Sequence, residues 1–61
     1  MAQITEKELT AIGDLLSMEK NMVAKCCDMA CNTQDMGLKD RYNQMAQQHQ
    51  RHFDQLYSNL K

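Results

Sequence analysis

Apolar side chains recur along two long stretches of the chain at alternating steps of three and four residues. In the first stretch the repeat falls on Leu9, Ile12, Leu16, Glu19, Val23, Cys26 and Ala30. In the second it falls on Leu38, Tyr42, Met45, His49, Phe53, Leu56 and Leu60, with Ala46 and Tyr57 beside it. Such steps place side chains on one face of an α-helix. The pattern predicts two amphipathic helices and an all-α fold.

The first helix has a clear start signal. Thr5 is followed three positions later by Glu8, which is the capping-box pattern that satisfies free N–H groups at a helix N-terminus. The apolar repeat then continues without a proline. We expect this helix to span residues 6–31.

A short polar segment separates the two repeats. Residues 32–35 read Asn-Thr-Gln-Asp, which favours a turn, and Asp35 is suited to cap a second helix over residues 36–60. A connection of this length makes two long helices antiparallel neighbours. The sequence therefore predicts that residues 1–61 form a single antiparallel helical hairpin.

The chain is short for a protein that folds alone. With 61 residues and 7.1 kDa, it buries only about 60% of its unfolded surface, so it needs additional support. Three cysteines, two of them adjacent at Cys26 and Cys27, do not form a secreted disulfide framework. A reducing compartment and a second copy are expected instead, and two hairpins make a four-helix bundle by homodimerisation.

Charge and hydropathy exclude several partners. The net charge is −1 and no basic cluster is present, which leaves no electrostatic footprint for nucleic acid. No apolar run approaches the ~18 residues of a membrane span. The N-terminal segment lacks the basic start and apolar stretch of a signal peptide.

Three polar residues interrupt the apolar pattern: Glu19, His49 and His52. Glu19 and His49 each lie 13 residues from the turn, so they share one layer of the hairpin, and His52 lies one helical turn further out. One interpretation is a buried Glu-His pair that fixes the register of the helices. The other is a metal site, because helical bundles hold metals with carboxylates and i, i+3 pairs on facing helices.

Sulfur offers a third candidate chemistry. Cys27 and Cys31 are four residues apart and lie near Met29, and soft thiolates and thioethers select Cu(I). Cysteine and methionine are also ordinary core residues, so the same pattern is typical of packing. No nucleophile, base and orienting group occur together and no phosphate-binding loop is present, so we expect no enzymatic activity.

Two segments resemble the helices of ferritin-like and rubrerythrin-like half-bundles. MAQQHQRHFDQL, residues 45–56, is similar to the second helix, with His49 at the glutamate and His52 at the histidine of the iron-binding Glu-x-x-His motif. LLSMEKNMVAKC, residues 15–26, is similar to the first helix, with Glu19 at the bridging carboxylate. The resemblance implies a ferritin-like fold. The chain also departs from the iron-binding pattern of these proteins, because a di-iron site built from two such halves uses four carboxylates.

The donor set of this chain points to different metals. A dimer would offer two Glu19 carboxylates and up to four neutral imidazoles, a balance that fits a single zinc, nickel or copper ion better than iron. No cofactor is otherwise expected.

Nearly the whole chain resembles the small spore coat proteins of the coat protein F family of endospore-forming bacteria. ELTAIGDLLSMEKNMVAKC, residues 8–26, and GLKDRYNQMAQQHQRHFDQL, residues 37–56, carry this resemblance. It implies a structural coat component without enzymatic activity. Such a protein is made in the mother-cell cytoplasm and deposited on the forespore with other coat proteins.

Overall fold

The computed structural model describes residues 4–60 and contains two α-helices. Helix α1 spans Glu6–Asn32 and helix α2 spans Met36–Ser58. The two helices pack along each other as a hairpin with extents of 47 × 16 × 11 Å, and residues 4–60 contain no strand. The predicted all-α hairpin is therefore confirmed. Residues 1–3 and 61, which complete the predicted unit, lie outside the described part.

The start of each helix is fixed by a side-chain cap. The Thr5 hydroxyl accepts the Glu8 backbone N–H at 3.1 Å, and the Glu8 carboxylate accepts the Thr5 backbone N–H at 3.2 Å. At the second helix the Asp35 carboxylate accepts the Leu38 N–H at 3.0 Å. Each cap satisfies a donor that the first turn leaves free, as the sequence pattern predicts.

The end of α2 differs from the predicted range by two residues. The Gln55 carbonyl accepts the Ser58 hydroxyl at 2.7 Å and the Asn59 side-chain amide at 2.9 Å. The Asn59 backbone N–H bonds to the Leu56 carbonyl at 3.1 Å, three residues back. Local side-chain hydrogen bonds of this kind compete with the helical ladder. Residues 59 and 60 consequently form a turn rather than a further helical turn.

The residues that are buried within the single hairpin are mostly small. Cys26, Ala30 and Ala46 are the buried apolar residues, and the fourth buried residue is Glu19. The sequence pattern placed Met45 in the apolar stripe and Ala46 beside it. Within the single hairpin Ala46 is buried, whereas Met45 is 42% exposed.

One side of the hairpin is rich in methionine and leucine. It is formed by two rows of residues spaced seven apart, a spacing that keeps side chains on one side of a helix. We define the methionine-rich side by these rows, Leu15, Met22 and Met29 on α1 and Leu38, Met45 and His52 on α2. Only Met22 of the six is not exposed. The opposite side carries Lys20, Ala24, Gln50 and the exposed Cys27.

Neither helix has an apolar stretch long enough to cross a membrane.

Candidate metal centre

The middle of the hairpin holds a polar layer inside apolar surroundings. Glu19 is the central residue of α1 and is only 7% exposed. His49 and His52 lie three residues apart on α2, so both project toward it from successive positions on one face. The sequence predicted this shared layer by counting from the turn, and the structure brings all three side chains together.

A single carboxylate contacts both imidazole rings. His49 Nδ1 lies 2.9 Å from Glu19 Oε1 and 3.3 Å from Oε2, and His52 Nδ1 lies 3.1 Å from Oε2. The two rings meet edge to face with their centroids 5.7 Å apart. Since an ionised carboxylate only accepts hydrogen bonds, each Nδ1 donates, and Nε2 of each neutral ring keeps its lone pair.

The electrostatics of the layer favour ionised Glu19. The hydrogen bond from His49 is the largest influence and lowers the pKa of Glu19 below its usual value of 4.5, and His52 acts in the same direction. Burial acts against this by disfavouring the charged form. The carboxylate is thus charged at neutral pH and available to a cation.

The three side chains have the donor chemistry of a metal site. One carboxylate oxygen and one nitrogen from each ring all lie within 4.8 Å of one another, which makes this the only such group among the His, Cys, Asp and Glu residues at positions 4–60. Imidazole and carboxylate together suit zinc and neighbouring divalent ions. The site is also accessible, because the His52 side chain is 47% exposed and borders an open groove with Leu15, Met18 and Leu56.

Two binding modes are compatible with this arrangement. Glu19 and the imidazoles can ligate the ion directly, which requires each Nδ1 to lose its hydrogen. Alternatively the ion binds at Nε2 while Glu19 continues to accept the Nδ1 hydrogens, as carboxylates behind zinc-binding histidines do. In the second mode Glu19 fixes which ring nitrogens carry protons, whereas in the first the ion itself takes the place of the Nδ1 hydrogens.

The three cysteines differ in burial. Cys26 is buried, whereas Cys27 and Cys31 are exposed. The sequence grouped Cys27 and Cys31 with Met29 and did not show that Met29 lines a hollow with Cys26, Met22 and Met45. The seven-residue spacing of Met22 and Met29 indicates that they share one side of α1. The sequence did not indicate that Met45 of α2 joins them, because this depends on the register of the two helices.

No family model, no curated protein and no solved structure matches this chain. The resemblance to the coat protein F family therefore stays a prediction, and function is argued from the geometry of the hairpin.

The unfolding free energy is expected to decrease as the pH falls below about 4.5. Because the folded-state pKa of Glu19 is lowered, its contribution is present above the pKa of the unfolded chain and is lost as the pH falls through the folded value. Urea unfolding at several pH values, with a chelator present, measures this. The isosteric variant Glu19→Gln should show a shallower acid dependence; equal dependence in both proteins would contradict the assignment.

Proposed function

We propose that this chain is a non-enzymatic assembly protein whose hairpin packs against a second copy to form a ferritin-like four-helix bundle. The observation that carries this proposal is the large surface of the single chain. Its accessible area is 4992 Å², whereas a compact monomer of this mass has about 4,100 Å². The excess of roughly 900 Å² is close to the ~800 Å² that one partner buries in a standard interface.

The methionine-rich side is the surface that we assign to this interface. Leu15 is 41% exposed, Leu38 47%, Met29 44% and Met45 42%, so four of the eight large apolar side chains that are exposed among the described residues lie there. A second hairpin with the same side provides a matching apolar surface, as a two-fold axis requires. The opposite side, with Lys20 and Gln50, would remain in water.

The position of the polar layer supports the same arrangement. Since Glu19 is at the centre of α1, a two-fold axis through the middle of the bundle brings the layers of both copies to one height. His52 lies in the methionine-rich row, so its ring would face the partner. Two carboxylates and four imidazoles would then share one enclosed layer.

Sedimentation of protein without an affinity tag tests the assembly. We expect a two-chain species with the helix content of the hairpin. A single-chain species with full helix content and cooperative unfolding would contradict the proposal, because the methionine-rich side would then need no cover.

Divalent metal binding by the Glu19, His49 and His52 layer is the second candidate function. The convergence of three ligand atoms within 4.8 Å favours it. Two Glu19 carboxylates offset the charge of one divalent ion, and four imidazoles favour zinc, nickel or copper over iron. The competing interpretation is a purely structural layer, since all buried side-chain polar atoms of the described residues already have hydrogen-bond partners.

The cellular setting that we propose is the bacterial spore coat. The resemblance of residues 8–26 and 37–56 to the coat protein F family supports it, and a small self-associating hairpin is suited to a layered protein shell. In this proposal the chain is made in the mother-cell cytoplasm and associates with other coat proteins on the forespore.

A fluorescently tagged copy expressed during sporulation is expected to collect at the forespore surface. The tag alone serves as the control and should remain diffuse. An even distribution of the tagged protein through the mother cell would contradict the coat assignment while leaving the two-chain bundle intact.

A further inference from the structure

A second cluster of potential metal donors lies between the polar layer and the turn. A hollow of about 180 Å³ is lined by Met22, Lys25, Cys26, Met29, Tyr42 and Met45. Three methionines and one cysteine are among these lining residues, and both helices contribute to them. Neither carboxylates nor imidazoles line it.

We propose that this hollow is a binding site for Cu(I). Thioether and thiolate sulfurs are soft ligands that select Cu(I) over the divalent ions favoured by carboxylate and imidazole. Methionine has three rotatable side-chain bonds, so Met22, Met29 and Met45 can adjust their sulfurs around an ion held at Cys26. The site is separate from the Glu19 layer and does not depend on metal binding there.

The proposed binding step leaves no net charge in the hollow. The Cys26 S–H bond breaks, its proton passes to water, and a Cu–S bond forms, with thioether sulfurs completing the coordination. No electron is transferred. The resulting thiolate and Cu(I) pair is neutral, which suits an apolar wall. It also avoids repulsion by the Lys25 ammonium, which sits on a flexible and exposed side chain.

Burial favours Cys26 over the other two thiols as the anchor. Cys26 is only 4% exposed, while Met29 and Met45 are 44% and 42% exposed and form the rim of the hollow. The ion would enter between these two exposed thioethers and be held out of bulk water. A second copy on the methionine-rich side would cover the hollow further.

Exchange of sulfur for carbon tests the proposal with little change in packing. Leucine has nearly the volume of methionine, so the double variant Met29→Leu with Met45→Leu keeps the apolar surface and removes two donors. We expect its Cu(I) affinity, measured anaerobically against a chromophoric Cu(I) chelator, to fall at least tenfold. The matched control is Met18→Leu with Met36→Leu, two exposed methionines outside the hollow, and it should bind as the original chain does.

Three results would overturn the assignment. Equal affinity in the two double variants would mean that the hollow is a packing surface only. Loss of affinity in Cys27→Ser with Cys31→Ser would transfer the site to the exposed thiols. Loss in Glu19→Gln would place the ion in the polar layer.

A measurement on the unaltered chain keeps the test independent of variant folding. Silver(I) is a redox-stable probe with the same preference for soft ligands. Titration with silver(I) should shift the methyl NMR signals of Met22, Met29 and Met45 and leave those of Met18 and Met36 in place. Uniform shifts, or none, would contradict the site.

Discussion

The double variant Leu15→Glu with Met45→Glu is expected to sediment as a single chain and to lose most of its helical signal. Both side chains lie in the rows of the methionine-rich side, one on each helix, and are 41% and 42% exposed in the hairpin. In the proposed bundle the two substitutions bring four carboxylates into one apolar interface. Burial of each unpaired charge costs several kcal/mol, which exceeds what a small bundle has in reserve.

Loss of helix is expected together with loss of the dimer because the hairpin has little core of its own. Its buried apolar residues are only Cys26, Ala30 and Ala46, and no side chain within residues 4–60 is fully enclosed. Small side chains of this kind contribute little apolar area. In the proposed bundle, the second copy supplies the large apolar burial that these residues do not.

The matched control places the same two charges on the opposite side. Ala24→Glu with Gln50→Glu adds one carboxylate to each helix next to Lys20 and leaves the methionine-rich rows unchanged. We expect this variant to remain a two-chain species with full helix content. If both double variants dissociate, net charge rather than the interface is responsible; if neither does, the two copies associate through another surface.

The hairpin was predictable because its signals are local. The capping residues Thr5 and Asp35 and the three-four repeat each involve neighbours in sequence. Local signals did not predict which of Met45 and Ala46 is buried, because this depends on how α2 packs against α1. Ala46 is buried in the hairpin and Met45 is 42% exposed.

The sequence was sufficient to predict which residues of the candidate site share one layer of the hairpin. Equal counting from the turn placed Glu19 opposite His49 because an antiparallel hairpin fixes the heights of its residues. The counting did not show that both rings approach one carboxylate, since this depends on side-chain rotamers. It also did not show the hollow lined by Met22, Met29 and Met45, because the position of Met45 relative to the other two depends on the register of the two helices.

Zinc is expected to raise the melting temperature of the protein, and Glu19→Gln is expected to remove this effect. A ligand at about a hundred times its dissociation constant stabilises by RT ln(1 + [L]/Kd), about 2.7 kcal/mol, which for a small domain corresponds to roughly 10–20 °C. Glutamine keeps the shape of the side chain but supplies no charge to offset the ion. Elemental analysis of tag-free protein provides an independent readout and should show metal in the original chain only.

The stoichiometry distinguishes a shared layer from two separate sites. One divalent ion is neutralised by two Glu19 carboxylates, whereas two ions would leave excess positive charge inside the bundle. We therefore expect about one zinc for every two chains; one zinc for each chain would mean that each hairpin binds alone.

The variant Glu19→Leu separates metal binding from a structural role. In a purely structural layer this change is tolerated or even stabilising, because buried ion pairs often contribute no more than apolar replacements. Zinc would then leave the melting temperature of both proteins unchanged. In a metal site the same change abolishes metal content and the zinc-dependent gain, since His49 and His52 lose the carboxylate that orients them. A zinc-dependent gain that survives in Glu19→Leu would show that the ion binds elsewhere in the chain.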